Sequence, residues 1–336
     1  MLLTGCLLMV LVPGGRVLAA KTAAGRVTME FDLSAYPAGK EVKLWLPYPV
    51  SSQYQEISDI RIDGDFREAA VYTDRVFQTP ILYARWDRQA ASRHLLLAFT
   101  ARRQEVVRRD FPAREGAWDP ADYRQWLRPN RLGPLNDQVR KLAAVIVAGR
   151  PGVAARARAI YDWVCDHMYR DPTTVGCGKG DVCALLKRPG GKCTDINSVF
   201  VTLCRAAGVP AREIFGIRLG KKPEQEITKW QHCWAEFFLP GYGWVPVDPA
   251  DVRKMMLKEK LKLAAARAKS YREYFWGAWD PYRVELARGR DLILNPPQAG
   301  EPLNTFGYPY AEVDGQMLDF YQPESFKYRL TCRRLP

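Results

Sequence analysis

The sequence predicts an α+β protein: an N-terminal antiparallel β-sandwich followed by a domain of helices and strands. Three observations predict it. Residues 25–110 hold short apolar runs separated by turn residues, the spacing of a sandwich. From residue 139 the apolar positions recur at i, i+3, i+4 and i+7, the period of a helix face. Beyond residue 210 strand-like runs return, two of them joined by a glycine-rich hairpin loop. The composition agrees. Of 336 residues, 47% are hydrophobic, 12% aromatic and 26% charged. That is enough apolar material for packed cores and a length of about two domains, and it excludes a disordered chain, a collagen and a coiled coil.

Residues 1–20 read as an export signal. Leu2 to Val12 form an apolar run too short for a membrane span, and Val17-Leu18-Ala19-Ala20 places small residues where a signal peptidase cuts. Leu3-Thr4-Gly5-Cys6 has the look of a lipoprotein box, but the apolar run continues past Cys6. The mature chain is thus expected to be exported, to the periplasm or the medium. It keeps the cysteines at 165, 177, 183, 193, 204, 233 and 332. An oxidising compartment favours pairing, and an odd number leaves at least one thiol unpaired. Cys165, His167, Cys177 and Cys183 have a C-x-H…C-x5-C spacing that matches no familiar zinc pattern, so no metal and no cofactor is expected.

Between 25 and 110 the expected strands are Val27–Leu33, Val42–Leu46, Ile57–Ile62, Ile81–Trp86 and His94–Ala101. Residues 111–134, rich in Pro, Arg and Trp, read as a linker laid across a surface, and the second domain runs from 135 to 336. Val139, Leu142, Ala143 and Ile146 mark one helix, which Gly149-Arg150-Pro151-Gly152 ends. Ala154 to Met168 marks a second, with Ile160, Trp163, Val164 and His167 on its stripe and Cys165 off it. A Gly-, Cys- and Lys-rich loop covers 171–191. A helix follows from about Lys192 to Gly208, where Gly208 and Pro210 form a stop signal. Strands are expected at Ala211–Leu219, His232–Leu239 and Trp244–Asp248. Residues 252–272 read as one basic helix with the stripe Leu257, Leu261, Ala264, Ala268 and Tyr271, and the tail from 275 as irregular strands wrapped on the core.

Three segments carry chemistry: Gly190-Gly191-Lys192-Cys193-Thr194-Asp195 at a helix mouth, His232-Cys233-Trp234-Ala235-Glu236 on a strand, and Trp244-Val245-Pro246-Val247-Asp248-Pro249 at a strand end. A cysteine in a helix's first turn meets unpaired N–H groups and the positive end of the dipole, which lower a thiol pKa. The same amides can donate to an oxyanion. The preceding glycines would let a substrate backbone approach. A histidine beside the thiol holds the thiolate and protonates a leaving amine, and an aspartate on its far nitrogen orients the ring. Of the three histidines, His94 and His167 read as surface or packing residues.

The hairpin register tests this set. His232, Trp234, Glu236 and Phe238 share one strand face. A four-residue loop, Pro240 to Gly243, would pair Leu239 with Trp244 and turn Asp248 to the opposite face. An odd loop or a bulge would place Asp248 across from Trp234, a diagonal neighbour of His232. The sequence therefore predicts the odd loop.

These residues resemble a known family. Gly191-Lys192-Cys193-Thr194-Asp195, the helix end Leu203-Cys204-Arg205-Ala206-Ala207-Gly208-Val209-Pro210-Ala211-Arg212, His232-Cys233-Trp234-Ala235-Glu236 and Gly243-Trp244-Val245-Pro246-Val247-Asp248-Pro249 are similar to the transglutaminase-like superfamily core, over roughly 135–250. The tail, with Arg288-Gly289-Arg290-Asp291 and Tyr308-Pro309-Tyr310, looks like exported bacterial members that carry an N-terminal β domain. The resemblance implies a papain-like transglutaminase core and a Cys-His-Asp triad at Cys193, His232 and Asp248. Thr194 stands where animal transglutaminases carry tryptophan, and no calcium-type acidic loop is present.

The expectation is a secreted or periplasmic thiol enzyme, a peptidase, amidase or protein-glutamine transamidase, acting on a protein, peptide or cell-wall peptide. A non-catalytic scaffold keeping the same fold is the alternative. The excess of 50 Lys+Arg over 37 Asp+Glu, a net +13, favours weak contact with anionic surfaces without implying a specific nucleic acid.

Overall fold

The computed structural model describes residues 20–322 and 325–336. The leader predicted at 1–20, with Cys6, lies outside the described residues apart from Ala20. The N-terminal third forms strands β1 (Thr22–Asp32), β2 (Val42–Pro47), β3 (Gln55–Gly64), β4 (Glu68–Thr73), β5 (Pro80–Trp86) and β6 (His94–Gln104). The five expected runs are all strands. β4, Glu-Ala-Ala-Val-Tyr-Thr, lacks any fully buried residue and so carried no apolar signal. Then come α1 (Asp137–Ile146), α2 (Gly152–His167), α3 (Cys193–Ala206), β7 (Ala211–Arg218), β8 (Glu224–Glu226), β9 (Gln231–Leu239) and β10 (Gly243–Val247). The chain ends with α4 (Pro249–Lys258), α5 (Ala266–Tyr274), β11 (Arg283–Arg288), β12 (Tyr310–Val313), β13 (Gln316–Met317) and β14 (Lys327–Leu335).

Two five-stranded antiparallel sheets, ordered β8-β14-β1-β6-β3 and β13-β12-β2-β5-β4, face each other as a sandwich. Alternation along the strands sends Val27, Met29, Phe31, Leu95, Leu97 and Phe99 from the first sheet against Val42, Leu44, Leu46, Leu82 and Trp86 from the second. The tail is not a wrapping but a structural member. β14 pairs with β1 along its length, Val27 opposite Cys332 and Phe31 opposite Tyr328, and β12 pairs with β2. A chain ended after Phe326 would leave β1 as a bare edge over an uncovered core. We expect it to lose its cooperative thermal transition, a loss read by near-UV circular dichroism on heating.

The second sheet is covered on both faces. Its alternate residues Trp45, Ile81 and Tyr83 pack into the core of the second half, around α1, α2 and α3. That core holds α3, which is buried from Cys193 through Arg205 on every side. It lies on a four-stranded antiparallel sheet ordered β10-β9-β7-β11. In the segment 111–134, Glu115 fastens α2 by accepting from the amides of Val153 and Ala154, each at 2.8 Å.

Two helices depart from the expected pattern. α2 turns Val153, Ala157, Ile160, Tyr161, Val164 and Cys165 inward, so Cys165 belongs to the core. Trp163 and His167 instead stack on each other at the rim, with ring centroids 4.3 Å apart. The basic helix expected over 252–272 is two helices, α4 and α5. Lys260 adopts a left-handed φ of 53° after α4. Its amide donates to the carbonyl of Leu257 at 3.2 Å and that of Leu261 to Met256 at 2.8 Å, a Schellman stop without glycine.

The seven described cysteines are all free. The expectation of pairing gives way because Cys165, Cys204 and Cys332 are each packed among apolar side chains in separate parts of the two cores.

Candidate active site

The site is built where α3 begins. Gly190–Gly191 pairs in parallel with Tyr169–Arg170, and the chain turns at Lys192 into the helix. The two glycines serve packing rather than substrate approach. A Cβ on Gly190 would strike the Tyr169 ring, and one on Gly191 the Asp195 side chain. Asp195 ties the turn together, accepting from the amides of Gly180 at 2.7 Å and Lys192 at 3.0 Å. Cys193 is therefore the first helical residue, 2% exposed. The Thr194 amide is already bound to the Cys177 carbonyl at 2.9 Å. Among the described residues the amide of Cys193 itself makes no hydrogen bond and is a donor available to an oxyanion.

The hairpin has the odd loop. Leu239 pairs with Gly243 and Ala235 with Val247, so three residues, Pro240-Gly241-Tyr242, make the turn. Gly241 and Gly243 hold φ of 77° and 101°, conformations open to glycine. Continued one step, the register sets Asp248 opposite Trp234. There Asp248 leaves the strand and becomes the N-cap of α4, accepting from the Asp251 amide at 3.0 Å.

The result is a buried imidazole–carboxylate pair: His232 Nε2 lies 2.9 Å from Asp248 Oδ2. With Nε2 engaged, Nδ1 is the ring nitrogen left for the thiol. Asp248, 0% exposed, has every lone pair addressed. Arg283 Nη1 donates to Oδ2 at 2.5 Å, and Asn197 Nδ2 approaches Oδ1 at 3.4 Å. Arg283 also donates through Nη2 to Asp251 at 2.7 Å and through Nε to Asp280 at 3.0 Å. Arg218 reaches Asp251 and Asp280 as well. Burial pushes the Asp251 carboxyl up, but Arg218, His232 and Arg283 outweigh it and hold it well below the usual range. Asp280 is lowered in the same way, by Arg283 and Arg218 against burial. Three carboxylates against two guanidiniums give the cluster a net negative charge, which an imidazolium at His232 would compensate.

Three thiols meet at the nucleophile position. Hydrogen bonds from Cys177 and Cys233 hold the Cys193 thiol well below its ordinary value; burial opposes them, and His232 adds to them. Those donors are shifted the other way, Cys177 by its bond to Cys193 and by burial, Cys233 chiefly by burial. Both are anchored. Cys177 Sγ also lies 3.3 Å from the Gln231 carbonyl oxygen and Cys233 Sγ 3.5 Å from Thr194 Oγ1, contacts that fix the two sulfurs while the single proton of each is turned to Cys193. The C-terminal segment closes over this side: the Tyr308 hydroxyl donates to Cys177 Sγ at 3.2 Å, and its ring stacks on Phe320 at 4.8 Å.

The structure thus brings Cys193, His232 and Asp248 to one place. It disperses Cys165, His167, Cys177 and Cys183. Among the described residues the grouping with ligand-like spacing is His232, Asp248 and Asp251. Its carboxylates already bind guanidiniums, which supply the positive charge a cation would bring. Sequence reasoning missed Asn197, Arg218, Asp251, Asp280, Arg283 and the two flanking thiols. Asp251 had a signal, the Asp248-x-x-Asp251 spacing of a helix start; Asp280 and Arg283 had only their i, i+3 interval.

A thiol on a buried helix N-terminus, facing an imidazole and carboxylate carried by a sheet, defines a thiol protein of the papain-like architecture. The chain belongs to the transglutaminase-like superfamily, whose core pattern matches residues 140–249. It is 34% identical over 335 residues to an uncharacterized protein of Haemophilus influenzae, covering 92% of this chain and 90% of that one. The uncharacterized protein YebA of Bacillus subtilis is 28% identical over 129 residues, 34% of this chain and 18% of that protein. In overall fold the chain is similar to a solved structure described as a proposed cysteine protease from Cytophaga hutchinsonii. The TM-score is 0.56 and the identity 16%, over 93% of this chain and 98% of that one. Among the described residues no helix is long and apolar enough to cross a membrane.

Proposed function

We propose that the protein is an exported thiol enzyme that cleaves or transfers the acyl group of an amide in a protein, peptide or cell-wall peptide. The observation that carries this reading is the His232–Asp248 contact of 2.9 Å beside a helix-start thiol held in its low-pKa state. The Cys193 thiolate attacks the scissile carbonyl and forms a C–S bond. The resulting oxyanion takes the Cys193 amide. Collapse breaks the C–N bond as the His232 imidazolium gives its proton to the leaving amine, and a thioester remains. The neutral imidazole then takes a proton from water, whose oxygen attacks the thioester. Acid is released, and the thiolate and imidazolium are restored. Asp248 holds the ring throughout. Water needs no dedicated site, so hydrolysis is favoured over transfer to a second amine.

Alkylation tests the reading. Iodoacetamide should modify Cys193 at a rate nearly independent of pH down to pH 6, and Cys193→Ala should remove that fast phase. A rate that instead follows an ordinary thiol near pH 8.5 would make Cys193 structural and the protein a scaffold.

A further inference from the structure

Two cations near the thiol, Arg170 and Lys254, make no ion pair among the described residues. Asp248 and Asp251 face His232, and Lys254, three residues beyond Asp251, is its neighbour on α4. The first two are engaged by His232, Arg283 and Arg218. Lys254, one turn on, is half-buried and makes no ion pair or hydrogen bond among the described residues. Arg170 approaches from the other wall. It lies opposite Gly191 in the two-residue ladder, two positions before the nucleophile, and α4 packs against this strand. Its Nη1 is buried and has no hydrogen-bond partner. Burial pushes the Lys254 ammonium down, and Arg218 and Arg170 push the same way; Asp251 and the Cys193 thiolate pull against them. An unpartnered guanidinium nitrogen and a half-buried ammonium thus stand on two packed elements, with the nearby carboxylates Asp248 and Asp251 already committed to other arginines. A desolvated cationic group costs free energy until an anion pairs with it, and a carboxylate would satisfy both of these through charge-assisted hydrogen bonds.

We infer that Arg170 and Lys254 form a carboxylate-binding subsite beside Cys193, so that the acyl donor carries a free carboxylate close to its scissile amide. This deepens the thiol-enzyme reading and rests on it. The chemistry is that of a peptide cut next to an acidic side chain or next to its own terminal carboxylate. The guanidinium fork suits the planar carboxylate, and the ammonium adds a point charge.

The test uses two alkylating agents of nearly equal size, iodoacetate and iodoacetamide, on the full-length protein. The ratio of their rates at Cys193 reports the subsite whatever the absolute reactivity. Wild type should favour iodoacetate. Lys254→Met and Arg170→Gln should each lower the iodoacetate/iodoacetamide ratio by about 30-fold or more, the scale for truncating one partner of a desolvated charge pair. Arg170→Lys should restore part of it. A ratio unchanged in the variants, with both rates falling together, would mean that the cations only tune the thiol, and would overturn the subsite. Ordinary slow labelling by both reagents would instead count against the thiol enzyme. With peptide amides, a preference for Glu over Gln beside the scissile bond marks a side-chain carboxylate, and a preference for a free over an amidated terminus marks the terminal one. Equal rates on all four, unmoved by the variants, would likewise sink the subsite.

Discussion

Replacing His232 with alanine is expected to lower kcat/KM on an amide substrate by at least about 10³-fold while leaving the fold intact. The size of the loss follows from its two tasks. The ring stabilises the thiolate, and it carries the proton that lets the amine leave. Without it, the tetrahedral intermediate reverts by expelling the better leaving group, the thiolate. The fold survives because the partners of His232 are bound elsewhere: Asp248 keeps Arg283 at 2.5 Å and the Asp251 amide at 3.0 Å. Alkylation gives a second readout with a defined sign. His232 is one of the influences that lower the Cys193 thiol, after Cys177 and Cys233. Its removal should move the pH profile of labelling upward, yet short of an ordinary thiol, because the two sulfur donors remain. Turnover within tenfold of wild type, or an unmoved profile, would remove His232 from the chemistry.

Much of this site was legible because its logic is local. Cys193 declared itself by standing at a helix mouth, and Gly208-Val209-Pro210 marked that helix's other end. The parity of the hairpin loop followed from alternation alone. A two-residue period admits Asp248 to the His232 face only if the turn is odd, and Leu239 indeed pairs with Gly243. What escaped was set by distance along the chain. Nothing near Val27 announces that Cys332 will lie opposite it. β4 escaped because an exposed strand lacks apolar alternation. Arg283 sits in a tail of aromatic and glycine residues and meets Asp248 only through the central sheet. The glycines before Cys193 were misread for a related reason: their neighbours Tyr169 and Asp195 are what exclude a side chain, and such crowding has no sequence signature.

Arg283 is where the largest loss of stability is expected. Its side chain is 0% exposed and is shared among Asp248, Asp251 and Asp280. Arg283→Met removes the charge while keeping much of the volume; it leaves Arg218 to serve Asp251 and the partly exposed Asp280, and leaves the buried Asp248 without a guanidinium. Breaking a buried ionic network from one side costs about 3–5 kcal/mol, and urea unfolding at pH 7 should show a loss of that order. The pH dependence has a fixed sign. In the wild type, Asp251 and Asp280 are held below their usual values, so their contribution is present above the unfolded carboxyl value, near pH 4. It is lost as pH falls through their lower folded values. In the variant the carboxyls rise, so this contribution disappears and protonation relieves their repulsion. The gap between the two proteins should therefore be widest near neutrality and narrow as pH drops below about 4. Arg283→Lys should recover only part of the loss, since one ammonium cannot reproduce the three separate donors that address three carboxylates. A loss below about 1 kcal/mol, the scale of an exposed ion pair, or a gap indifferent to pH, would show that the carboxylates find other partners and that Arg283 does not hold the pair His232–Asp248 in place.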